Sequence, residues 1–229
     1  MCFSATASFT ASALLLPAGV YAVRYAQRHD SRAISLAGIP IAFAIQQACE
    51  GMVWLSIHDT NPAETHQAAL GFLAFAYWFW LFWSPWSVAQ LESQPTIRRI
   101  SQIFSLLGFV YGALLYLPLV LQSNWLTVQV AHHAIQYETR LIFDKWMSQQ
   151  VDRCLYALIV VTPYFIASSN LIKILGGLVL SSAIVTDWML NDVFVSVWCF
   201  CAAIISLYIV YVVSKISKSI PQTISSPSN

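Results

Sequence analysis

Residues 34–57 read ISLAGIPIAFAIQQACEGMVWLSI and carry a single charged side chain, Glu50. A helix needs roughly 20 predominantly apolar residues to cross the ~30 Å hydrocarbon core of a bilayer, and this stretch of 24 residues meets that requirement. Six other stretches have the same character. We predict seven transmembrane helices, at about 7–26, 34–57, 67–90, 101–121, 153–170, 172–190 and 193–214.

The composition excludes an ordinary soluble domain. Only 9% of the 229 residues are charged and 58% are apolar, whereas soluble domains carry about 25% charged residues. The net charge of +1 and the absence of a basic stripe argue against a nucleic-acid partner. The sequence therefore predicts an all-α, polytopic membrane bundle whose first partner is the lipid bilayer.

Basic residues in the loops predict the orientation, because cytoplasmic loops collect Lys and Arg. Loops on one side hold eight of the eleven basic residues, namely Arg24, Arg28, Arg32, Arg98, Arg99, Lys173, Lys215 and Lys218. The other side holds three, namely Arg140, Lys145 and Arg153. The N-terminus is therefore expected outside and the C-terminus inside. We expect one helical domain over residues 1–214 and a disordered cytoplasmic tail over 215–229.

The connection between the fourth and fifth spans, residues 122–152, is too long for a plain linker. From Val128 to Met147 it carries apolar residues at helical spacing, which predicts an amphipathic helix that caps the outer face. In such a helix His133 and Tyr137, four residues apart, share one side, and His132 lies beside them. The apolar residues that carry this interpretation are Val130, Ala134, Ile135, Leu141, Ile142 and Trp146.

The second span carries a polar stripe. Gln46, Gln47, Glu50 and Trp54 are spaced by three or four residues and share one helical face. An ionisable group within a bilayer costs at least about 2.5–3.5 kcal/mol, so such residues face the bundle interior and usually serve a function. These side chains need partners on neighbouring helices, water or a bound ligand.

The other unusual polar residues fall in the same leaflet as Glu50. In the predicted topology Asp187 lies about one turn below the outer boundary, Trp198 lies in the outer third of the last span, and Cys2 is at the outer surface. The residues predicted to bind a ligand are Gln46, Gln47, Glu50, Trp54, His133, Tyr137, Asp187 and Trp198.

Four segments resemble those of an uncharacterised family of bacterial multi-pass membrane proteins. They are MCFSATASF at the start, QQACEGMVW around Glu50, HHAIQYE in the cap and FVSVWCFCAA in the last span. Members of that family begin Met-Cys-Phe-Ser and carry a Gln-Gln-x-x-Glu-Gly-x-x-Trp helix. The resemblance covers nearly the whole chain. It implies a polytopic fold, with the bacterial inner membrane as the expected location, and it does not indicate any particular activity.

The first functional hypothesis is an outer-leaflet pocket that binds a small ligand or a metal ion for transport or sensing. Thiolate and imidazole suit a soft metal, whereas carboxylate and amide suit a harder ion or a protonated ligand. The candidate metal ligands are Cys2, His132, His133 and Glu50.

Two hypotheses from other classes compete with it. In an intramembrane enzyme acting on a lipid or small amphiphile, Glu50 would be the acid or base, His133 a second base or ligand, and Cys2 the nucleophile. In an accessory subunit of an oligomer or larger membrane complex, the same polar groups would only hold helices together.

Overall fold

The computed structural model describes residues 4–131, 133–144 and 148–216. These residues form seven long helices, which confirms the helical bundle. They are α1 Ala5–His29, α2 Ser31–His58, α3 Pro62–Leu91, α4 Pro95–Leu121, α5 Gln149–Ile166, α6 Asn170–Met189 and α7 Phe194–Ile216.

Six of the seven helices are long and apolar enough to cross a membrane, and α5 is not among those six. Its first turns carry Gln149, Gln150, Asp152 and Arg153, which lower its mean hydropathy. The helix ends at Ile166, four residues before the end of the predicted span 153–170. The protein is therefore an integral membrane protein by the apolar character of six helices, and its orientation stays a prediction.

Sequential helices pack antiparallel through small residues. A Cβ on Gly19 would lie 2.8 Å from the Ile41 backbone nitrogen, and one on Gly51 would lie 2.7 Å from the Phe9 ring. A later residue of α1 thus meets an early residue of α2, and an early residue of α1 meets a late residue of α2, so the two helices run antiparallel. The start of α3 is capped by Asn61, whose side chain accepts a hydrogen bond from the Glu64 N–H, and Pro62 occupies the first turn.

The predicted amphipathic helix in the fourth-to-fifth connection is wrong, because this segment forms an antiparallel β-hairpin. Strand β1 covers Leu126–Ala131 and β2 covers Ala134–Thr139, with Val128 opposite Tyr137. His133 lies in the turn between the strands and has φ of 59°. Of the predicted cap residues, His132 and the segment 145–147 lie outside the described residues.

Alternating residues place the hairpin on the bundle. Tyr137 stacks on Phe72 of α3 with ring centroids 4.9 Å apart, and the Tyr77 and Thr139 hydroxyls hydrogen-bond at 3.1 Å. Near the turn, Ala134 packs against Val193 and Val197. The hairpin therefore covers one end of the bundle, which we call the hairpin end, by bridging α3 and α7.

The two ends of the bundle differ in charge. Seven of the ten acidic residues lie at the hairpin end, namely Asp59, Glu64, Glu138, Asp144, Asp152, Asp187 and Asp192. At the opposite end, only Asp30 and Glu92 are acidic, and most of the described Lys and Arg residues lie there. The chain beyond Ile216, which includes most of the predicted tail, lies outside the described residues.

Candidate functional site

A cavity of about 820 Å³ lies beneath the hairpin. We call it the hairpin cavity. Its walls are strand β2, the middle of α3, the second half of α4, the first half of α5, the second half of α6 and the start of α7. Seven aromatic residues line it, namely Tyr77, Tyr111, Tyr137, Tyr156, Trp188, Phe194 and Trp198.

The aromatic side chains at the base of the cavity pack on one another. Trp198 meets Tyr156 edge to face at 5.4 Å and stacks on Phe194 at 5.3 Å. The Tyr156 hydroxyl donates to the Ala76 carbonyl at 2.7 Å. Tyr156, Trp198 and Cys199 also line a second, apolar cavity of about 50 Å³ deeper in the bundle. The base of the hairpin cavity is therefore closely packed and mostly apolar.

An ion pair links two walls. Arg153 of α5 donates to Asp187 of α6, and its guanidinium carbon lies 4.4 Å from the centroid of the Phe194 ring of α7. This arrangement satisfies the arginine with a carboxylate on one side and an aromatic face on the other. Arg153 thus fixes α5 against both neighbours.

Asp152 occupies the first turn of α5, where the helix dipole favours a carboxylate. Its side chain is 7% exposed. Oδ1 accepts a hydrogen bond from the Tyr111 hydroxyl at 3.1 Å, whereas the buried Oδ2 makes none with any residue that the structure describes. Asp152 therefore lines the hairpin cavity, and its buried Oδ2 has unused hydrogen-bonding capacity within the described part of the chain.

The polar stripe of α2 forms a separate buried cluster, which we call the Glu50 cluster. Gln46, Gln47 and Glu50 are fully buried. Glu50 accepts hydrogen bonds from the Gln47 amide at 3.3 Å and from the Ser196 hydroxyl of α7. The Gln46 carbonyl accepts from the Trp80 indole of α3 at 2.8 Å. The cluster joins three helices and lines neither cavity.

Two residues stand between the Glu50 cluster and the cavities. Trp80 lines the smaller cavity, and Cys199 lines both. The Cys199 thiol lies within interacting distance of Gln46 and Glu50. The cluster is therefore the layer behind the cavity wall.

A model of a family of unknown function, DUF6629, matches residues 1–224. The chain belongs to this family. No curated protein and no solved structure was found to match it.

The structure places the predicted site residues of this DUF6629 chain in four settings. Tyr137, Asp187 and Trp198 line the hairpin cavity, and the Glu50 cluster lies behind it. Trp54 packs in the apolar core beneath the hairpin, where its buried indole N–H makes no hydrogen bond within the described part of the chain. His133 is exposed in the hairpin turn.

The predicted metal ligands are only partly described. Cys2 and His132 lie outside the described residues. Within the described ranges, no group of three or more His, Cys, Asp or Glu side chains is arranged to hold a metal ion. His133 and Glu50 occupy different surroundings, since one is exposed and the other fully buried.

Sequence reasoning missed Asp152, Tyr111 and Arg153 as cavity residues. The prediction placed Asp152 in the outer loop, whereas α5 begins three residues earlier, at Gln149. Asp152 and Tyr156 are four residues apart and share a face of that helix. The same face continues to Val160 and Pro163. This helical spacing, which starts at Asp152, was the sequence signal that could have identified α5 as a wall of the cavity.

Proposed function

We propose that this integral membrane protein binds a small ligand in the hairpin cavity, for transport or sensing at the outer face of the membrane. The cavity carries the proposal. Its volume of about 820 Å³ falls within the ~300–1,000 Å³ typical of ligand sites, which are mostly apolar and aromatic with a few polar groups. The hairpin cavity has this composition.

The proposed binding residues are the cavity residues Tyr137, Asp187 and Trp198, and the Glu50 cluster behind them would respond indirectly. A ligand in the cavity would contact Trp198 and Cys199, and Cys199 in turn contacts the Glu50 cluster. A ligand could in this way bias the packing of α2 against α7, which is the kind of coupling that a transporter or a sensor needs.

The proposed orientation puts the hairpin end outside. The opposite end carries seven of the eight basic residues of the predicted cytoplasmic side, the eighth, Lys218, lying outside the described residues, and such a bias is typical of cytoplasmic ends. The bacterial plasma membrane is the proposed location, as the resemblance to a bacterial family implies. The enzyme and subunit hypotheses stay predictions.

The test is whether filling the cavity removes a bound molecule. Ala157 lines the hairpin cavity, and its neighbour Leu158 is 56% exposed on the outside of the bundle. Ala157→Phe adds a ring inside the cavity, and Leu158→Phe adds aromatic surface on the same helix outside it. Each variant and the wild type are purified in a neutral detergent, and small molecules that remain bound are measured by mass spectrometry.

We expect one molecular species to accompany the wild type and Leu158→Phe at a constant ratio, and Ala157→Phe to lose it. Equal retention by all three proteins, or loss of retention in both variants, would place the bound molecule outside the cavity and contradict the proposal.

A further inference from the structure

The hairpin cavity is acidic. Five of the ten acidic residues of the chain line it, namely Glu138, Asp144, Asp152, Asp187 and Asp192. Among its described lining residues, Arg153 is the one basic side chain. That arginine contacts Asp187 and Phe194, and a single cation is fewer than the five acidic side chains of the lining.

Asp152 supplies an independent indication of a ligand. Its side chain is more than nine-tenths buried, and Oδ2 has no hydrogen-bond donor within the part of the chain that the structure describes. Burying a carboxylate oxygen without a donor or a counter-charge is costly. Asp144 lies near enough to repel it. A cation in the cavity would relieve both the desolvation of Asp152 and this repulsion.

The aromatic lining suits the same kind of ligand. Tyr111 donates to Asp152 and thereby lies beside its carboxylate. Tyr156 lies one helical turn after Asp152 on α5, and its ring packs edge to face against Trp198. Aromatic faces attract ammonium groups, with a gain of about 0.5–2 kcal/mol for each well-placed ring. The same rings can bury an apolar body attached to the charge.

The surroundings favour the approach of a cation. Seven of the ten acidic residues lie at the hairpin end, and a concentration of one charge sign around a cleft raises the local concentration of opposite charges. The Gln129 amide donates to Glu138 at 2.7 Å on the outer face of the hairpin. That carboxylate is therefore held by a neutral donor.

We infer that the ligand of the hairpin cavity is an organic cation, an ammonium group on an apolar body, whose charge pairs with Asp152 while its body packs against Tyr156 and Trp198. This inference rests on the proposed function and specifies the chemistry of its ligand. The charge pairing explains the buried, half-satisfied carboxylate, and the apolar base explains the need for a hydrophobic body.

Three probes with the same body and different charges test the inference. They are 4-phenylbutylamine, 4-phenylbutanol and 4-phenylbutanoate, which are cationic, neutral and anionic at pH 7. Binding to the full chain in dodecylmaltoside micelles is measured by equilibrium dialysis, with empty micelles as the blank. We expect the amine to bind at least about tenfold more tightly than the alcohol, and the carboxylate to bind most weakly.

The Asp152→Asn variant identifies the partner of the charge. It keeps an oxygen that can accept from Tyr111, and we expect it to weaken amine binding about tenfold while alcohol binding is unchanged. Asp59→Asn is the matched control, because Asp59 is an exposed carboxylate at the same end that does not line the cavity. Should Asp152→Asn fail to fold, Asp144→Asn removes an exposed acid from the same cavity and should weaken only the amine.

The possible failures are distinct. Equal binding of the three probes, or preference for the carboxylate, overturns the cationic ligand and leaves a ligand-binding cavity in place. Loss of amine binding in Asp59→Asn as large as in Asp152→Asn also overturns it, since the effect would then be general electrostatics. Absence of binding of every probe, together with equal behaviour of Ala157→Phe and Leu158→Phe, contradicts the proposed function itself.

Discussion

Glu50 illustrates how a buried carboxyl is accommodated within a membrane bundle. Its two oxygens accept hydrogen bonds from Gln47 on its own helix and from Ser196 on α7. The first partner follows from helical spacing, because residues three apart are neighbours. The second joins residues 146 positions apart in the chain. A residue that is costly to bury thus also fixes the position of one helix against another.

Replacing Ser196 by alanine should therefore destabilise the protein. Ser196→Ala removes a donor to a buried carboxyl, and we expect the free energy of unfolding to fall by about 1–3 kcal/mol. Ser181→Ala is the control, because the exposed Ser181 hydroxyl bonds to the Leu178 carbonyl of its own helix, and we expect a change within about 0.5 kcal/mol. Thermal unfolding in detergent measures both, and equal losses would show that the Ser196 bond contributes nothing specific.

Glycines set how closely neighbouring helices approach. A Cβ on Gly108 of α4 would lie 2.0 Å from the Leu81 carbonyl oxygen of α3. The obstacle is backbone, so it cannot rotate away as a side chain can. Gly177 of α6 has open space instead, with nothing within 4 Å of an added Cβ. Identical residues in two helices therefore have opposite consequences for packing.

Replacing Gly108 by alanine should lower the stability of the protein, whereas replacing Gly177 by alanine should raise it. Gly108→Ala forces α3 and α4 apart, and we expect it to lower the free energy of unfolding by about 1–3 kcal/mol. Gly177→Ala keeps its space and gains helix propensity, which should raise that free energy by about 0.5–1 kcal/mol. Differential scanning fluorimetry can rank the two variants against the wild type. Similar effects at both sites would contradict close packing at Gly108.

Two turns at the end opposite the hairpin are joined by Glu92. Its carboxylate accepts hydrogen bonds from the Ser93 and Gln94 N–H groups after α3, and from the Ser168 N–H and hydroxyl before α6. Burial by itself would raise the pKa of the Glu92 carboxyl, but the hydrogen bonds from Gln94 and Ser168 prevail and lower this pKa below 4.5.

The contribution of Glu92 to stability should therefore depend on pH. Because the pKa is lower in the folded than in the unfolded protein, the ionised carboxylate stabilises the fold fully above pH 4.5, and this contribution is lost as the pH falls through the folded value. We expect the melting temperature of the wild type to exceed that of Glu92→Gln at pH 6, with the difference shrinking on acidification. A difference that stays constant down to pH 3 would contradict this linkage.

The cap segment was predicted as a helix because the apolar residues between Val130 and Trp146 were compared with a period of 3.6. The stretch LTVQV at 126–130 and IQYET at 135–139 instead alternates with a period of two, and in the hairpin Val128 faces Tyr137 across the strands while Gln129 faces Gln136. Short segments of this kind satisfy both patterns in part. The β-branched residues and the alternation favoured strands, and packing on α3 and α7 completed the choice.

The charge difference between the two ends leads to a prediction of orientation. Cys154 is exposed and lines the hairpin cavity, and Ser93 is exposed at the opposite end. In a chain whose other cysteines are replaced by alanine, a membrane-impermeant maleimide should label Cys154 from outside intact cells. A Ser93→Cys variant that also lacks Cys154 should label only after permeabilisation. Mass shifts on gels measure both, and the reverse pattern would place the hairpin end inside.

Several features followed from the sequence alone. Seven long helices, six of them apolar enough to span a membrane, follow from stretches such as 34–57, because lipid offers no hydrogen bonds and a continuous helix satisfies its own backbone. The inward position of Gln46, Gln47 and Glu50 follows from the same physics, since hydrocarbon cannot accommodate them, and all three are fully buried.

The tertiary structure alone decided which polar groups meet. Ser196 reaches Glu50, Tyr111 reaches Asp152, and Arg153 reaches Asp187, and each pair joins residues distant in the chain. The hairpin and the cavity beneath it likewise depend on how helices from both halves of the chain pack. Periodicity reports which face of one helix avoids lipid, but it carries no information on which residue of another helix that face will contact.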